Sequence, residues 1–170
     1  FRDEQLLPIL KLCNNHMQFD SLSETILREK VVDDPDFNSD LVLTIWEGNE
    51  IIGFLSAVIR QVRYLKSGFI KLFVVKENYR KQGLGNLLYD EIEKRFKERD
   101  VFNVRVCEAP FNYLVPGIDQ RYIEAIRFFE KKGFQKFSEV TNLTVDLTNQ
   151  DFNTEAQEES LAQGKIEISR

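Results

Sequence analysis

Apolar residues recur along this chain at helical spacing in some segments and at strand spacing in others, which predicts a mixture of helices and strands. A first helix is predicted over 3–15. It should start near Glu4, because Pro8 lacks an N–H donor and is acceptable only within about the first turn. A second helix is predicted to begin at the capping box Ser21-x-x-Glu24 and to end at 33–35. The residues expected to face inward are Leu6, Leu7, Leu10 and Cys13, then Leu22, Ile26, Leu27 and Val31.

Strand-like segments fill the middle of the chain. Two antiparallel strands are predicted over 41–47 and 50–62, joined by a turn at Gly48-Asn49. A second turn at 66–68 should lead into a third strand over 69–75. The three strands together would form an antiparallel meander.

Two further strands are predicted later in the chain. Residues 101–108 alternate apolar and polar positions after a helix, so this strand should lie parallel to the strand over 69–75. Residues 134–147 are expected to finish the domain in strand-like spacing, with apolar residues Phe137, Val140, Leu143, Val145 and Leu147. The predicted fold is therefore mixed α+β.

The strand over 69–75 is followed at once by a glycine-bearing turn and an amphipathic helix. Gly83 and Gly85 permit positive φ and a close approach of the backbone to a ligand. The unpaired N–H groups of the first helical turn and the helix dipole then attract an anion, and Arg80 and Lys81 add positive charge. This order predicts a phosphate site, and an ordinary strand-to-helix turn is the alternative. The expected buried face of the helix is Leu84, Leu87, Leu88, Ile92 and Phe96.

The segment Arg80-x-x-Gly83-x-Gly85 resembles the acyl-coenzyme A pyrophosphate loop of the GCN5-related N-acetyltransferase (GNAT) family, whereas Walker A and dinucleotide-binding patterns do not match. A second segment, Ala125 to Phe134, is similar to the last motif of that family, a helix ending in Gly-Phe beside the coenzyme. The resemblance covers about residues 1 to 147.

The resemblance implies a central mixed, mostly antiparallel sheet with helices on both faces and a splayed pair of parallel strands. It implies acetyl-CoA as the acyl donor, a primary amine as the acceptor, and direct attack of the amine on the thioester. The residues implied in coenzyme binding are Phe73, Val74, Val75, Arg80, Lys81, Gln82, Gly83, Leu84, Gly85, Asn86 and Phe129. The alternative function is a non-catalytic acyl-CoA-binding or scaffolding half of a larger tandem acetyltransferase, because 113–119 resembles the first half of such proteins.

Attack by an amine requires a base, since alkylamines are mostly protonated at pH 7, and an acid can assist the leaving thiolate. Glu108, at the carboxyl end of its strand, is the candidate base, and Asp119 is a competitor that looks more like a helix N-cap. The family commonly has a tyrosine where this chain has Phe129, which carries no proton to donate. Tyr122 is therefore the candidate acid, and unassisted departure of the thiolate is the other route.

Composition narrows the range of functions. The net charge of −5 argues against nucleic-acid binding and favours an amine-bearing acceptor. One histidine and two widely spaced cysteines predict neither a metal site nor a Ser-His triad. The chain lacks a long apolar run, so no membrane association is expected and the cytoplasm is the predicted compartment.

The last part of the chain, 148–170, is predicted to follow the acetyltransferase domain as a linker with a short helix and a strand. Thr154-x-x-Gln157 has capping-box form, Gly164 suits the helix end, and 166–168 alternates like a strand. This pattern predicts that the segment reaches a second domain of the same protein or pairs with a neighbouring chain in a homodimer.

Overall fold

The computed structural model describes residues 1–141, 143–146, 148 and 153–163, and it forms two units, Phe1–Val140 and Thr141–Arg170. The first unit contains a four-stranded sheet and four helices. The strands are β1 Val42–Glu47, β2 Glu50–Val62, β3 Leu65–Val75 and β4 Asn103–Val106. The helices are α1 Leu6–His16, α2 Glu24–Leu27 with its π-helical continuation Arg28–Val32, α3 Leu84–Lys97 and α4 Ile123–Lys131.

The sheet has the strand order β1-β2-β3-β4. The first two pairings are antiparallel, and β3 and β4 are parallel, as the sequence predicted. The β2–β3 ladder contains a bulge, because Ser56 faces Leu72 while Ala57 faces Ile70, which leaves Lys71 as the extra residue. A bulge re-aims a side chain, and here it turns Lys71 toward the segment that follows α2.

The two faces of the sheet carry separate apolar clusters, each covered by different helices. On one face, Phe54 and Val74 pack with buried residues of α1 and of the segment around α2. On the other face, Leu55 and Ile70 pack with α3 and α4. This alternation along the strands confirms the α+β class, with helices on both faces of a mixed sheet.

Several helix details differ from the sequence prediction. The side chain of Ser23, rather than Ser21, caps α2 by accepting a bond from the Ile26 N–H at 3.1 Å. Helix α4 is preceded by Tyr122, and the Asp119 carboxylate accepts from the Arg121 N–H at 2.9 Å instead of capping the helix. The exposed apolar residues that were expected to face inward are Leu7, Ile26 and Leu87.

Two strand predictions are wrong. The turn between β2 and β3 lies at Arg63-Tyr64, and residues 66–68 already belong to β3. Among the described residues of 134–147, no strand forms, and the side chains of Phe137, Val140, Leu143 and Val145 are exposed. The first three of these residues are spaced by three, so an extended chain would not place them all on one face.

In the second unit, a helix α5 spans Glu155–Gln163 and begins after Thr154, as predicted. Gly164 and the strand predicted over 166–168 lie outside the described residues. No helix in the described part of the chain has both the length and the apolar character needed to span a bilayer.

Candidate active site

The predicted anion site is formed by the start of α3. Gly83 precedes the helix with a φ of +92°, and Lys81 has a φ of +61°, so the backbone passes twice through the left-handed region. Leu87 is the first residue to donate back along the helix, to the Gly83 carbonyl at 3.0 Å. The first-turn N–H groups therefore have no partner within the helix and are available to an anion; they belong to Leu84, Gly85 and Asn86.

The two loop glycines differ in conformation and surroundings. A Cβ at Gly83 would meet no atom within 4 Å, so the positive φ is what requires glycine there. A Cβ at Gly85 would lie 3.4 Å from the Phe128 ring and 3.6 Å from the Phe73 ring. These are ordinary van der Waals distances, so a methyl group would fit at Gly85, whereas a large side chain would meet the two aromatic rings.

Arg80 and Lys81 lie beside the loop, but both are engaged with protein groups. The Arg80 Nε donates to the Val75 carbonyl and its Nη2 to the His16 carbonyl, each at 3.0 Å. A Glu124 carboxylate oxygen, in the first turn of α4, lies 2.8 Å from the Lys81 Nζ and the other lies 3.9 Å from the Arg80 Nη1. Lys81 holds the pKa of Glu124 below its ordinary value. The Glu124 carboxylate thus partly neutralises the two cations that were predicted to attract phosphate.

Gln82 is also engaged within the loop. Its side-chain amide donates to the Asn78 carbonyl at 2.8 Å, which ties the loop to the short 3-10 turn Glu77–Tyr79 that precedes it. The side chain therefore stabilises the loop conformation, and the backbone provides the free donors.

Strands β3 and β4 separate beyond a short shared ladder. Their pairing ends at Ile70 and Val106, where the Cys107 N–H donates to the Ile70 carbonyl at 2.8 Å, while β3 continues to Val75. The last three residues of β3 keep their partners in β2 but have no partner in β4; they are Phe73, Val74 and Val75. The strands thus splay as predicted, and one main-chain edge of β3 is left without a strand partner.

Phe129 lies in an aromatic cluster under the start of α3. It is 5% exposed, and its ring centroid lies 5.3 Å from those of Phe128 and Phe134 and 5.6 Å from that of Phe73. The end of α4 is fixed by Gly133, whose φ of +90° gives the predicted left-handed cap. Phe129 therefore has a packing role in the core.

Tyr122 lies immediately before α4. Its hydroxyl accepts a hydrogen bond from the Phe19 N–H at 2.8 Å, and the two ring centroids are 4.9 Å apart. Burial raises the pKa of Tyr122, the bond from the Phe19 amide opposes this rise, and the Asp20 carboxylate adds to it. The phenol is therefore protonated at neutral pH and retains a proton that it can donate.

Cys107 and Glu108 follow β4 with φ values of +61° and +36°. A Glu108 carboxylate oxygen lies 2.9 Å from the Arg105 guanidinium, and the side chain is partly buried. Burial raises the pKa of the Cys107 thiol to about 12, and the Asp20 charge contributes to this rise, so the thiol is a poor nucleophile at neutral pH. Within the described residues, no hydrogen bond or ion pair joins Glu108 to Tyr122.

Asp20 and Glu124 are carboxylates at this site that the sequence pattern did not predict. Each is an isolated acidic residue without a motif, and only its tertiary contacts reveal it. The described residues contain no group of three or more His, Cys, Asp or Glu side chains arranged to hold a metal ion.

Comparison with known proteins agrees with this geometry. The model of the acetyltransferase (GNAT) family matches residues 6–134, and no curated protein sequence matches this chain significantly. One similar structure is the GCN5-related glucosamine N-acetyltransferase region of a fungal multi-domain GH3 β-N-acetylglucosaminidase, with a TM-score of 0.68 and 22% identity. That similarity covers 79% of this chain but only 16% of the fungal one.

Two other similar structures are matched over most of their length. An aminoglycoside 6′-N-acetyltransferase from Acinetobacter haemolyticus has a TM-score of 0.60 and 19% identity, over 86% of this chain and 96% of that chain. Arabidopsis thaliana Naa50, in complex with the bisubstrate analogue CoA-Ac-MVNAL, has a TM-score of 0.64 and 13% identity, over 88% and 89%. At such identities the structures show a shared fold, and the family match covers most of the chain. The chain belongs to the acetyltransferase (GNAT) family.

Proposed function

We propose that this domain transfers the acetyl group of acetyl-CoA to a primary amine by direct attack of the amine nitrogen on the thioester. The observation that carries the proposal is the uncapped start of α3 next to the open edge of β3. A helix end that binds anions and an extended main-chain edge suit the pyrophosphate and the amide-containing arm of one molecule. The residues proposed to bind it are Phe73, Val74, Val75, Arg80, Lys81, Gln82, Gly83, Leu84, Gly85, Asn86 and Phe129.

The reaction forms a C–N bond, breaks the C–S bond, removes a proton from the amine and returns one to the thiolate. Glu108 is proposed as the base, after release from its ion pair with Arg105. Tyr122 is proposed as the acid, because its hydroxyl is protonated at neutral pH. Phe129 has no hydroxyl and is fully packed, so Tyr122 would replace the tyrosine that the family commonly has there.

The acceptor is proposed to be a cationic amine in the cytoplasm. The net charge of −5 supports this class, since an acidic surface attracts cations. The similar proteins include a glucosamine acetyltransferase region, an aminoglycoside acetyltransferase and a protein bound to a peptide-CoA analogue. We also propose that the segment 148–170 leads to a second domain of the same protein or pairs with a neighbouring chain in a homodimer.

Two measurements test the function. Calorimetric titration with acetyl-CoA should give one saturable site, and release of free thiol should then be followed with glucosamine, an aminoglycoside and a peptide beginning Met-Val-Asn-Ala-Leu. Turnover with any of these amines would support the proposed acetyltransferase activity. Acetyl-CoA binding without turnover favours the non-catalytic alternative, and the absence of binding would reject both functions.

A further inference from the structure

A buried cluster of charges centres on the carboxylate of Asp34, in the turn after the π-helix. This side chain is completely buried and accepts from the Arg60 Nη2 at 2.5 Å and from the Lys71 ammonium group. The Asn112 Nδ2 donates to the same carboxylate at 2.9 Å. One carboxylate thus joins β2, β3, the end of the π-helix and the loop over 109–119.

Asn112 holds that loop in place from its centre. Its side-chain amide also donates to the Glu29 carbonyl at 3.1 Å, which ties the loop to the π-helix. The loop is closed at its base by the Glu108 N–H, which donates to the Val115 carbonyl at 3.2 Å. Leu114 packs against the core on the α1 side of the sheet. The loop is therefore an anchored part of the fold, at the end of β4 where the two parallel strands separate.

The two residues that flank Asn112 are exposed, whereas Asn112 itself is buried. Phe111 is 86% exposed and Tyr113 is 48% exposed, although both are large aromatic residues. Phe111 also has a φ of +69°, a conformation that bulky residues rarely adopt. Two rings are thus held outward by one buried amide between them.

We propose that these two rings form an acceptor-recognition surface, with Asn112 and Asp34 as its positioning residues. This inference rests on the proposed function and specifies its substrate class, a cationic amine. Aromatic faces attract ammonium groups, and ligands of open α/β sheets bind beyond the carboxyl ends of parallel strands. The segment 29–36, to which the loop is tied, adds a complementary negative charge at the exposed Asp33. The other carboxylates of this segment are paired with cations: Glu29 with Lys30, Asp36 with Arg60, and Asp34 with Arg60 and Lys71.

The test uses the full chain and the amine that is turned over fastest in the panel above. The substitutions Phe111→Ser and Tyr113→Ser should each raise the KM for the amine by roughly two- to fivefold and leave the KM for acetyl-CoA unchanged. Phe102→Ser is the matched control, because Phe102 is 77% exposed but lies at the opposite end of β4. Equal changes in both KM values, or the same change in the control, would overturn the proposal.

The positioning role has a separate measurement that needs no acceptor. Hydrogen exchange of the Glu108 amide, which donates to the Val115 carbonyl at the base of the loop, should be slow in the parent chain. It should be roughly tenfold faster or more in Asn112→Ala, while α3 keeps its protection. Asn103→Ala, at an exposed position on β4, serves as the control. Fast exchange of the Glu108 amide in the parent chain would show that the loop is not anchored, and would reject the proposal even if acetyl-CoA binds and is turned over.

Discussion

The backbone N–H of Phe19 donates a 2.8 Å hydrogen bond to the hydroxyl of Tyr122, across 103 positions of sequence. The bond connects the loop after α1 to the start of α4, and the Arg121 guanidinium lies 4.0 Å above the Phe19 ring. It orients the phenol beside Asp20, whose charge also acts on Cys107 at the end of β4. The candidate acid is therefore held near the splay by two separate parts of the chain.

Tyr122→Phe removes the hydroxyl and keeps the ring packed on Phe19. If the phenol donates a proton to the leaving thiolate, kcat should fall by ~10² to 10⁴ while the acetyl-CoA affinity is unchanged. Thiol release measures kcat, and calorimetry measures the affinity. Tyr64→Phe is the control at a fully exposed tyrosine. An unchanged kcat would assign Tyr122 a packing role alone.

Glu124→Gln removes the carboxylate that faces Arg80 and Lys81. Exposed ion pairs of this kind are weak, so their loss should tighten acetyl-CoA binding by no more than roughly fivefold. Calorimetry at low salt provides the test, because salt screens the effect. Glu130→Gln, at an exposed position on the same helix, should change nothing. Weaker binding in Glu124→Gln would mean that this carboxylate supports the loop.

Gly83→Ala places a side chain at a φ of +92°, which costs about 1 kcal/mol or more even though the surrounding space is open. The loop should relax, and acetyl-CoA binding should weaken. Gly48→Ala is the matched control, since Gly48 also has a positive φ and open space but lies in the β1–β2 turn. The two variants should lose similar stability in urea unfolding, but only Gly83→Ala should lose affinity for acetyl-CoA. That outcome would support the anion site. Equal affinities in the two variants would argue against it.

Asp34 should make the stability of the fold depend on pH in the acidic range. Burial acts to raise the pKa of Asp34, but bonds from Lys71, the Asp36 amide and Arg60 outweigh it and hold the pKa below its ordinary value. A lowered pKa in the folded state stabilises the fold above the ordinary value of about 3.9, and this contribution is lost as the pH falls below that value.

The corresponding measurement is urea unfolding of the parent and Asp34→Asn between pH 7 and pH 3. The variant should lose about 3–5 kcal/mol at pH 7, because it leaves two buried cations without their carboxylate. The difference should begin to shrink below about pH 3.9, where the Asp34 carboxylate becomes protonated in the unfolded parent chain but stays ionised in the folded one. Asp33→Asn, at the exposed neighbouring position, is the control. A pH-independent difference would contradict this account.

Local patterns in the sequence determined the candidate coenzyme site. The strand, the glycine turn and the helix over 69–97 are contiguous, so alternation, positive φ at Gly83 and helical spacing could all be recognised from neighbouring residues. The same holds for the Gly133 cap and for the pairing of β1 with β2. These features depend on backbone preferences that act over a few residues.

Tertiary structure decided which side chains meet. Leu87 has helical spacing but is 65% exposed, because the sheet contacts the face of α3 that carries Leu88 and Ile92. The bond from Asn112 to Asp34 spans 78 positions and has no local pattern. The ion pair between Glu124 of α4 and Lys81 of the loop before α3 likewise has no local sequence pattern. Such contacts arise only when separate elements pack, since the periodicity of one element does not specify its neighbours.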